Sequence, residues 1–452
     1  MKNETPTPYE TPLMPTPKPT RRAVMKAAAV STIGVPFVWR SFGHAAPSET
    51  LLHVSVGAGG MAGADIGSLT GSKNLKLVAV ADVDDNPAAA MKKKHPDIET
   101  FRDWRKMFDK VKFDSANISC PDHMHGAPTL RAIKDGKHVY TQKPLTQTIG
   151  EARELTLAAK EKKIVSQMGI QIHSSVEHKM VVALIHAGAI GQVKAVHSVS
   201  NKDWGDNKPK PDRKDDVPAN FDWDLWLGVA QDRPFIGGGY YHPGNWRKRL
   251  DFGTGTFGDM GCHILDPVFG SLGVGNPSSI ISEGDAPIDV SWGLDGQVTF
   301  TFPGSKHTTD TVTLTWYNGK KRPPEEVLKL IEPHKLGGQG SIYIGTSGVL
   351  FSPYIGAPIL LPADKFKDFK RPEVKGANHY LEFVEAARGN GTTSAPFAYS
   401  GPLTEMVLLG CLATRFPKKK LEWDQEKMKV TNLPEANEFV KRVPRKGWDE
   451  VA

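Results

Sequence analysis

From Leu51 onward, short apolar runs alternate with stretches whose apolar residues fall on one helical face. "LLHVSV", "LKLVAVADVDD", "FDSANISCP", "KHVYTQKP" and "IVSQMGIQ" read as strands, the third and fourth closed by Pro121 and Pro144. Between them, "HGAPTLRAIKDG", stopped at Gly136, and "IGEARELTLAAKEKK" read as helices. Repetition of a strand–helix unit predicts a parallel, doubly wound α/β sheet, whose ligands lie at the carboxyl ends of its strands. Pro121, His125, Gln142 and Lys143 fall at such ends.

The texture changes beyond Gly169. "SSVEHKMVVALIHAGAIG" reads as a helix opening at Ser174 or Ser175, and "QVKAVHSVSNKDW" as a strand. "VSWGLDGQVTFTF", "HTTDTVTLTWYNGKK", "QGSIYIGTSGVLFS" and "GAPILLP" alternate like antiparallel strands, with Asn318-Gly319 as a hairpin turn. Helices are expected over 378–388 and 403–416, and a tail anchored by Leu421, Trp423, Met428 and Phe439 should pack back on the body. The polar, proline-containing "NKPKPDRKDDVPAN" reads as a surface loop. The expected organisation is an N-terminal dinucleotide-binding domain over 50–170, then an α+β domain over 171–452 with a large, open, mostly antiparallel sheet.

A different pattern precedes both. "TRRAVMKAAAVSTIGVPFVW" places Arg21, Arg22 and Lys26 before an apolar run, and "FGHAAP" supplies small residues for cleavage after Ala45. The run is too short to span a bilayer. It resembles a twin-arginine export signal, with Val24 where Phe is usual. That resemblance implies a signal peptide over 1–45, the twin-arginine machinery as a partner, and a periplasmic protein exported folded with its cofactor loaded.

Charge and cysteine content narrow the classes. The formal charge is +7, and about +3 without residues 1–45, which gives no reason to expect a nucleic-acid partner. Cys120, Cys262 and Cys411 are too few and too separated for a disulfide framework or metal cluster, and nothing in the sequence supports a Cys120–Cys262 bridge.

The first strand runs into "GAGGMAGADI". Gly57 and Gly59, with Gly60 and Met61 following, let the chain turn tightly and present backbone N–H groups to a pyrophosphate at a helix N-terminus, although Ala62 replaces the usual third glycine. Asp82 at the end of the next strand suits ribose hydroxyls and repels a 2′-phosphate, which favours NAD over NADP in a Rossmann-type domain. A plainer role for Asp82 is to cap the turn before Pro87.

With these features in place, "CPDHMHGAPTLRAIKDGKHVYTQKPL", "FDWDLWLG" and "GTFGDMGCHILDPV" carry a resemblance. From Leu51 to Trp448 the chain resembles the glucose–fructose oxidoreductase, inositol dehydrogenase and rhizopine-catabolism (Gfo/Idh/MocA) family of sugar oxidoreductases. The resemblance implies that the lysine of a Glu-Lys-Pro motif, which meets nicotinamide and substrate, is Lys143, with Gln142 in place of the glutamate. It implies that the family's Asp-x-x-x-His pair is Asp259 and His263, and that the chain assembles as a dimer or tetramer.

The pair also follows from chemistry. Asp259 and His263 lie one helical turn apart, so the aspartate is expected to orient the imidazole, and a neutral imidazole can take a hydroxyl proton. Lys143 would stabilise the developing alkoxide. Structural roles are the plainer alternative, a helix histidine and a first-turn acid. Asp259, His263 and Asp266 have a spacing compatible with metal, but NAD chemistry does not need one and none is expected.

"YYHPGNWRKRLDFGTG" has a carbohydrate-binding composition: Tyr240, Tyr241 and Trp246 for sugar faces, His242, Asn245 and Arg247 for hydroxyls. Trp204 suits either that platform or the core, packing is favoured for Trp223 and Trp226, and Gln171 and His173 are further cleft candidates. The expected function is an NAD-dependent oxidoreductase acting on a sugar or glycoside hydroxyl with retained, internally recycled cofactor. A redox-neutral glycoside hydrolase working by transient carbon 3 oxidation and elimination is the alternative, and a non-catalytic carbohydrate sensor a third.

Overall fold

In the computed structural model, residues 50–449 are described, so the export signal expected over 1–45 lies outside the described residues. Strands β1 (Leu51–Val56), β2 (Leu75–Ala81), β3 (Glu99–Phe101), β4 (Ser115–Ile118), β5 (His138–Gln142) and β6 (Ser166–Gly169) form a parallel sheet in the order β3-β2-β1-β4-β5-β6. Val54, Ala79, Ala116 and Val139 have no exposure, as expected where helices cover both faces. The strand order reverses between β1 and β4, which opens a crevice at their carboxyl ends. Polar caps fix the helices: Asp84 accepts from the Asn86 N–H, and Thr148 with Glu151 closes a capping box on helix Ile149–Lys162.

The second sheet comprises β7 (Val193–Ser200), β8 (Ser279–Ser282), β9 (Gly296–Pro303), β10 (Thr308–Asn318), β11 (Gln339–Gly345), β12 (Val349–Pro353), β13 (Ile359–Leu361), β14 (Lys420–Asp424) and β15 (Lys429–Val430). Their order is β13-β12-β11-β7-β10-β9-β8-β14-β15, antiparallel except at the parallel β7–β10 pair. One face is apolar and packs on helices Gly255–Ile264 and Phe397–Thr414 through Phe257, Phe300 and Trp316. The other carries Thr299, Thr315, His197 and Tyr317, paired among themselves.

Two local expectations are corrected. Asn318-Gly319 makes no hairpin: β10 turns back on β9 through residues 304–307, and β11 pairs with β7. The Asn318 side chain instead accepts from Trp316 Nε1 at 2.9 Å and donates to the Leu294 carbonyl at 2.8 Å. The helix expected from residue 403 begins at Phe397 and contains Pro402, because burial of Phe397, Leu403, Met406 and Val407 outweighs one missing helical hydrogen bond. That helix joins the two sheets: Glu405 receives both Nε and Nη2 of Arg153 at 2.7 Å.

Cys120, Cys262 and Cys411 are free thiols. No described helix is long and apolar enough to cross a membrane.

Candidate active site

The glycine turn has the geometry of a dinucleotide cradle. Gly57 sits at φ +100°, and a Cβ there would lie 2.8 Å from the Ser119 carbonyl oxygen, so β1 and β4 approach as closely as only glycine permits. Gly59 opens helix Gly60–Leu69 with no side-chain cap and no acidic residue in the first turn, which leaves the positive helix end to a ligand. Met61 is exposed in that turn. At the end of β2, Asp82 accepts from the Ala58 N–H at 2.9 Å and the Asp84 N–H at 3.0 Å, and burial raises its pKa. Asp84, rather than Asp82, caps the next helix. These residues fit NAD: an uncrowded helix N-terminus, a glycine that nothing larger can replace, and a carboxylate held beside the loop.

Pro121 opens the turn after β4, and His125, buried, sits between the carbonyls of Cys120 at 2.8 Å and Pro144 at 2.7 Å. That link ties the β4 loop to the Lys143-Pro144 bend.

Lys143, at the carboxyl end of β5, donates to Asp259 Oδ1 at 2.7 Å and to the Asp259 carbonyl at 3.0 Å. Trp204, just past β7, donates its Nε1 to Asp259 Oδ2 at 2.9 Å, and Arg247 Nε lies 3.4 Å from Oδ1. Burial alone would raise the Asp259 pKa, but Lys143 and Arg247 hold it at about 2. The aspartate is therefore an anion shared by three donors, and it is not hydrogen-bonded to His263 as its spacing suggested. His263 Nδ1 is buried without a hydrogen-bond partner among the described residues, and burial together with the Lys143 charge lowers the ring's pKa to about 3. The imidazole is neutral.

Gln142 has a partner the sequence did not reveal. Its Nε2 donates to Asp65 at 2.9 and 3.0 Å; Ser119 Oγ donates at 2.7 Å and Tyr380 OH at 2.9 Å to the same carboxylate. Asp65 has no exposure, and burial raises its pKa to about 6 against these hydrogen bonds. A charged residue on the inner side of "MAGADI" was the available signal. Asp122 is a second buried carboxylate, accepting from Thr254 Oγ1 at 2.8 Å at the start of the Asp259 helix; burial raises it to about 7, with Arg247 opposing.

The substrate candidates divide. Trp204 and Arg247 converge on Asp259, with the guanidinium 5.3 Å from the Trp204 ring and 4.2 Å from the Trp246 ring. Tyr241 and Trp246 are instead buried in an aromatic cluster with Phe221, Trp226, Phe235 and Phe252, so their faces pack on protein. Asn245 closes its own turn by donating to the Gly239 carbonyl. His242 stacks on Phe221 and meets Asp84 Oδ2 at 3.1 Å, at the Asp82 end of the crevice. Gln171 donates to Tyr380 OH at 3.2 Å. His173 pairs through Nδ1 with Asp266 Oδ2 at 2.8 Å, and Asp266 also takes Tyr399 OH at 2.6 Å. Burial would lower the His173 pKa, but Asp266 raises it.

Profiles of one oxidoreductase family match most of this framework: its NAD-binding Rossmann fold over residues 52–170 and its C-terminal alpha/beta domain over residues 178–301. The chain belongs to the Gfo/Idh/MocA family. NAD is the cofactor of its first domain. Among Gfo/Idh/MocA relatives, levoglucosan dehydrogenase of Pseudarthrobacter phenanthrenivorans is 23% identical over 164 residues, 36% of this chain and 34% of the relative. Inositol 2-dehydrogenase of Rubrobacter xylanophilus is 30% identical over 147 residues, 32% of this chain and 42% of the relative. These matches thus span between a third and under half of the relatives' length. The WlbA dehydrogenase from Bordetella pertussis, solved with NADH and UDP-GlcNAcA, shares the fold at a TM-score of 0.60 and 14% identity, over 83% of this chain and 98% of its own.

Proposed function

We propose that the chain is an NAD-dependent oxidoreductase that oxidises a secondary hydroxyl of a sugar or glycoside. The carrying observation is the half-buried Lys143–Asp259 ion pair at the carboxyl end of β5, one helical turn from a neutral His263, in a chain whose glycine cradle fits NAD. Gly57, Gly59, Gly60, Met61, Asp82, Pro121, His125 and Gln142 line or brace that cradle. NAD bound there would supply the hydride acceptor for the carbinol carbon. Lys143 keeps a proton free for the substrate oxygen while two are held by Asp259, and its charge stabilises the alkoxide. His263, uncharged, takes the hydroxyl proton as the hydride leaves and, with its pKa held at about 3, passes it on to water rather than keeping it. Asp259, fixed by Trp204 and Arg247, holds the ammonium in place. Relatives named levoglucosan dehydrogenase and D-glucoside 3-dehydrogenase support a carbohydrate substrate.

The reading includes export through Arg21 and Arg22 and a periplasmic site of action. With no soluble NAD pool there, the cofactor stays bound and each oxidation is followed by a return of reducing equivalents to a second sugar. Assembly as a homodimer or homotetramer belongs to the same reading and is checked by light scattering.

Redox-neutral cleavage of a glycoside is the second reading, and one contact favours it. Elimination needs a further base; of His242, Tyr241 and His173, only His173 has its ring held by a buried carboxylate on the His263 side, Asp266. A relative named 2,7-anhydro-N-acetylneuraminate hydratase supports chemistry without net oxidation.

The test is to denature the purified mature protein and take the ultraviolet spectrum and mass of what it releases, before and after incubation with sugars and glycosides. Released NAD that becomes NADH with one sugar class, and does not in Lys143→Met or His263→Ala proteins that still bind NAD, supports oxidation. Unchanged reduction in those variants removes both residues from the step. Glycoside cleavage with unchanged NAD supports the second reading. Bound NAD that no sugar reduces, with no cleavage, points to the sensor.

A further inference from the structure

Helix Gly60–Leu69, which the cradle opens, buries Ala62, Asp65, Ile66 and Leu69, spaced as one helical face. Three of the four are apolar, and Asp65, with no exposure, is the exception. A carboxylate is costly to bury, and an apolar side chain of similar volume commonly serves stability as well or better. What Asp65 contributes is the position of its partners.

Both of its oxygens are engaged. Oδ1 accepts from Tyr380 OH at 2.9 Å and Gln142 Nε2 at 3.0 Å, and Oδ2 accepts from Ser119 Oγ at 2.7 Å and Gln142 Nε2 at 2.9 Å. Ser119 follows β4, and its carbonyl oxygen is the atom that a Cβ on Gly57 of the cradle would meet. Tyr380 belongs to helix His379–Ala387, and Gln142 ends β5 one residue before Lys143.

Gln142 is the partner with least freedom. Its amide lies against Gly169 at the end of β6, where a Cβ would come within 2.6 Å of Nε2. The carboxylate also decides which way the amide faces. With Nε2 turned to Asp65, Oε1 is left to accept from the Lys143 backbone N–H at 3.3 Å. The reversed amide would set its NH2 against that N–H and its oxygen against the carboxylate. From Lys143 the chain of contacts runs through Nζ to Asp259 Oδ1 at 2.7 Å.

We infer that Asp65 is a positioning residue for the proposed oxidation: by fixing the Gln142 amide it sets the backbone at Lys143, and with it the place of the ammonium on Asp259. The inference rests on the reading of Lys143 given above. One buried anion thereby joins the helix that opens at the cradle to the lysine that serves the substrate oxygen. A displacement of about 1 Å, even from outside the reacting groups, costs about 10²-fold in rate, so the effect is expected in kcat.

The experiment measures kcat, sugar KM and NAD affinity for the full mature chain and for Asp65→Ala, Asp65→Asn, Tyr380→Phe, Gln142→Ala and the Asp65→Ala/Gln142→Ala pair. Asp65→Ala releases the amide and should lower kcat about tenfold or more, with KM and NAD affinity unchanged. Asp65→Asn keeps an acceptor oxygen and should lower it less. Tyr380→Phe takes a donor from the same carboxylate but leaves Gln142 held, so its kcat should stay near the parent's. In the Gln142→Ala protein, loss of Asp65 should change nothing further.

An unchanged kcat in Asp65→Ala, a loss confined to KM or NAD affinity, equal losses in Asp65→Ala and Tyr380→Phe, or an additive loss in the pair overturns the inference. Should Asp65→Ala fail to fold, Asp65→Asn takes its place in each comparison. If no sugar reduces NAD on the parent, the oxidation reading fails by itself, and crystals of parent and variant decide the positioning. A Lys143 ammonium out of hydrogen-bond reach of Asp259 in the variant supports it, and an unmoved one overturns it.

Discussion

At residue 142 the family's glutamate is replaced by Gln, and the sequence alone presents this as a lost charge beside Lys143. The structure sets a buried carboxylate against Gln142. Asp65, on the first helix, supplies a buried carboxylate, and Gln142 supplies the donor it needs. A glutamate at 142 would set two carboxylates in contact and remove the amide donor between them, leaving Asp65 only the Ser119 and Tyr380 hydroxyls. Gln142→Glu is therefore expected to cost about 3–5 kcal/mol at alkaline pH, the range for an uncompensated buried charge. The sign follows from the titration: the native Asp65 pKa of about 6 already lies above its unfolded 3.8, and a second carboxylate raises it further, so stability is lost as pH rises and returns under acid conditions. Asp65→Asn with Gln142→Glu restores a donor–acceptor pair and should recover most of the loss. Urea unfolding of the three proteins at low and high pH checks this; a Gln142→Glu protein as stable as its parent at high pH contradicts it. Lys143, Asp259 and His263 were legible because motif and spacing carry them. Asp65 was not, because nothing local in "GADI" says which strand end its carboxylate meets.

The helix Gly255–Ile264 works by where its neighbours leave it. Spacing along the chain put His263 against Asp259, yet the carboxylate turned to donors from other elements: Lys143 from the end of β5, Trp204 from the end of β7 and Arg247 from the preceding turn. An element read alone shows which residues share a face and not which long-range donor takes them. The same limit accounts for Asn318-Gly319, a good local turn that closes no hairpin because β11 finds β7, and for Pro402, tolerated inside a helix by its burial. Trp204→Phe tests the arrangement at this scale. Its ring volume and contact with Arg247 are largely kept, while Asp259 Oδ2 loses a donor worth about 1.5–3 kcal/mol to a charged acceptor. The turnover of bound NAD to NADH should fall about tenfold or more with NAD affinity unchanged. Equal loss of NAD affinity would mean that Trp204 supports the cradle instead.

Across the whole molecule, the two-domain α/β plan was legible because period-2 and period-3.6 patterns are properties of each segment, whereas the polar interior was not. "YYHPGNW" has the same composition whether its rings face a sugar or one another; only the assembled fold shows Tyr241 and Trp246 packed on Phe221, Trp226 and Phe252. The interior also stores many buried neutral histidines. Burial holds His53, His125 and His379 at about 4, and His123 and His263 at about 3, against an unfolded value of 6.5. Below pH 6.5 the unfolded chain takes protons that the native protein refuses, so each histidine withdraws stability as the pH falls toward its native value, about 1.4 kcal/mol per unit of separation. Asp65 at about 6 and Asp122 at about 7 act in the opposite sense, because the native protein takes their protons first. Asp82, also raised by burial, acts with them, and five histidines against three carboxylates leave a net loss. The unfolding midpoint should be highest near neutral pH and drop steadily from about pH 6.5 to about pH 4. Thermal unfolding across that interval decides it: a flat midpoint would mean that these rings are not buried neutral, and a rising one that Asp65 and Asp122 dominate. A flat midpoint would also remove the support for the neutral His263 on which proton removal from the substrate depends.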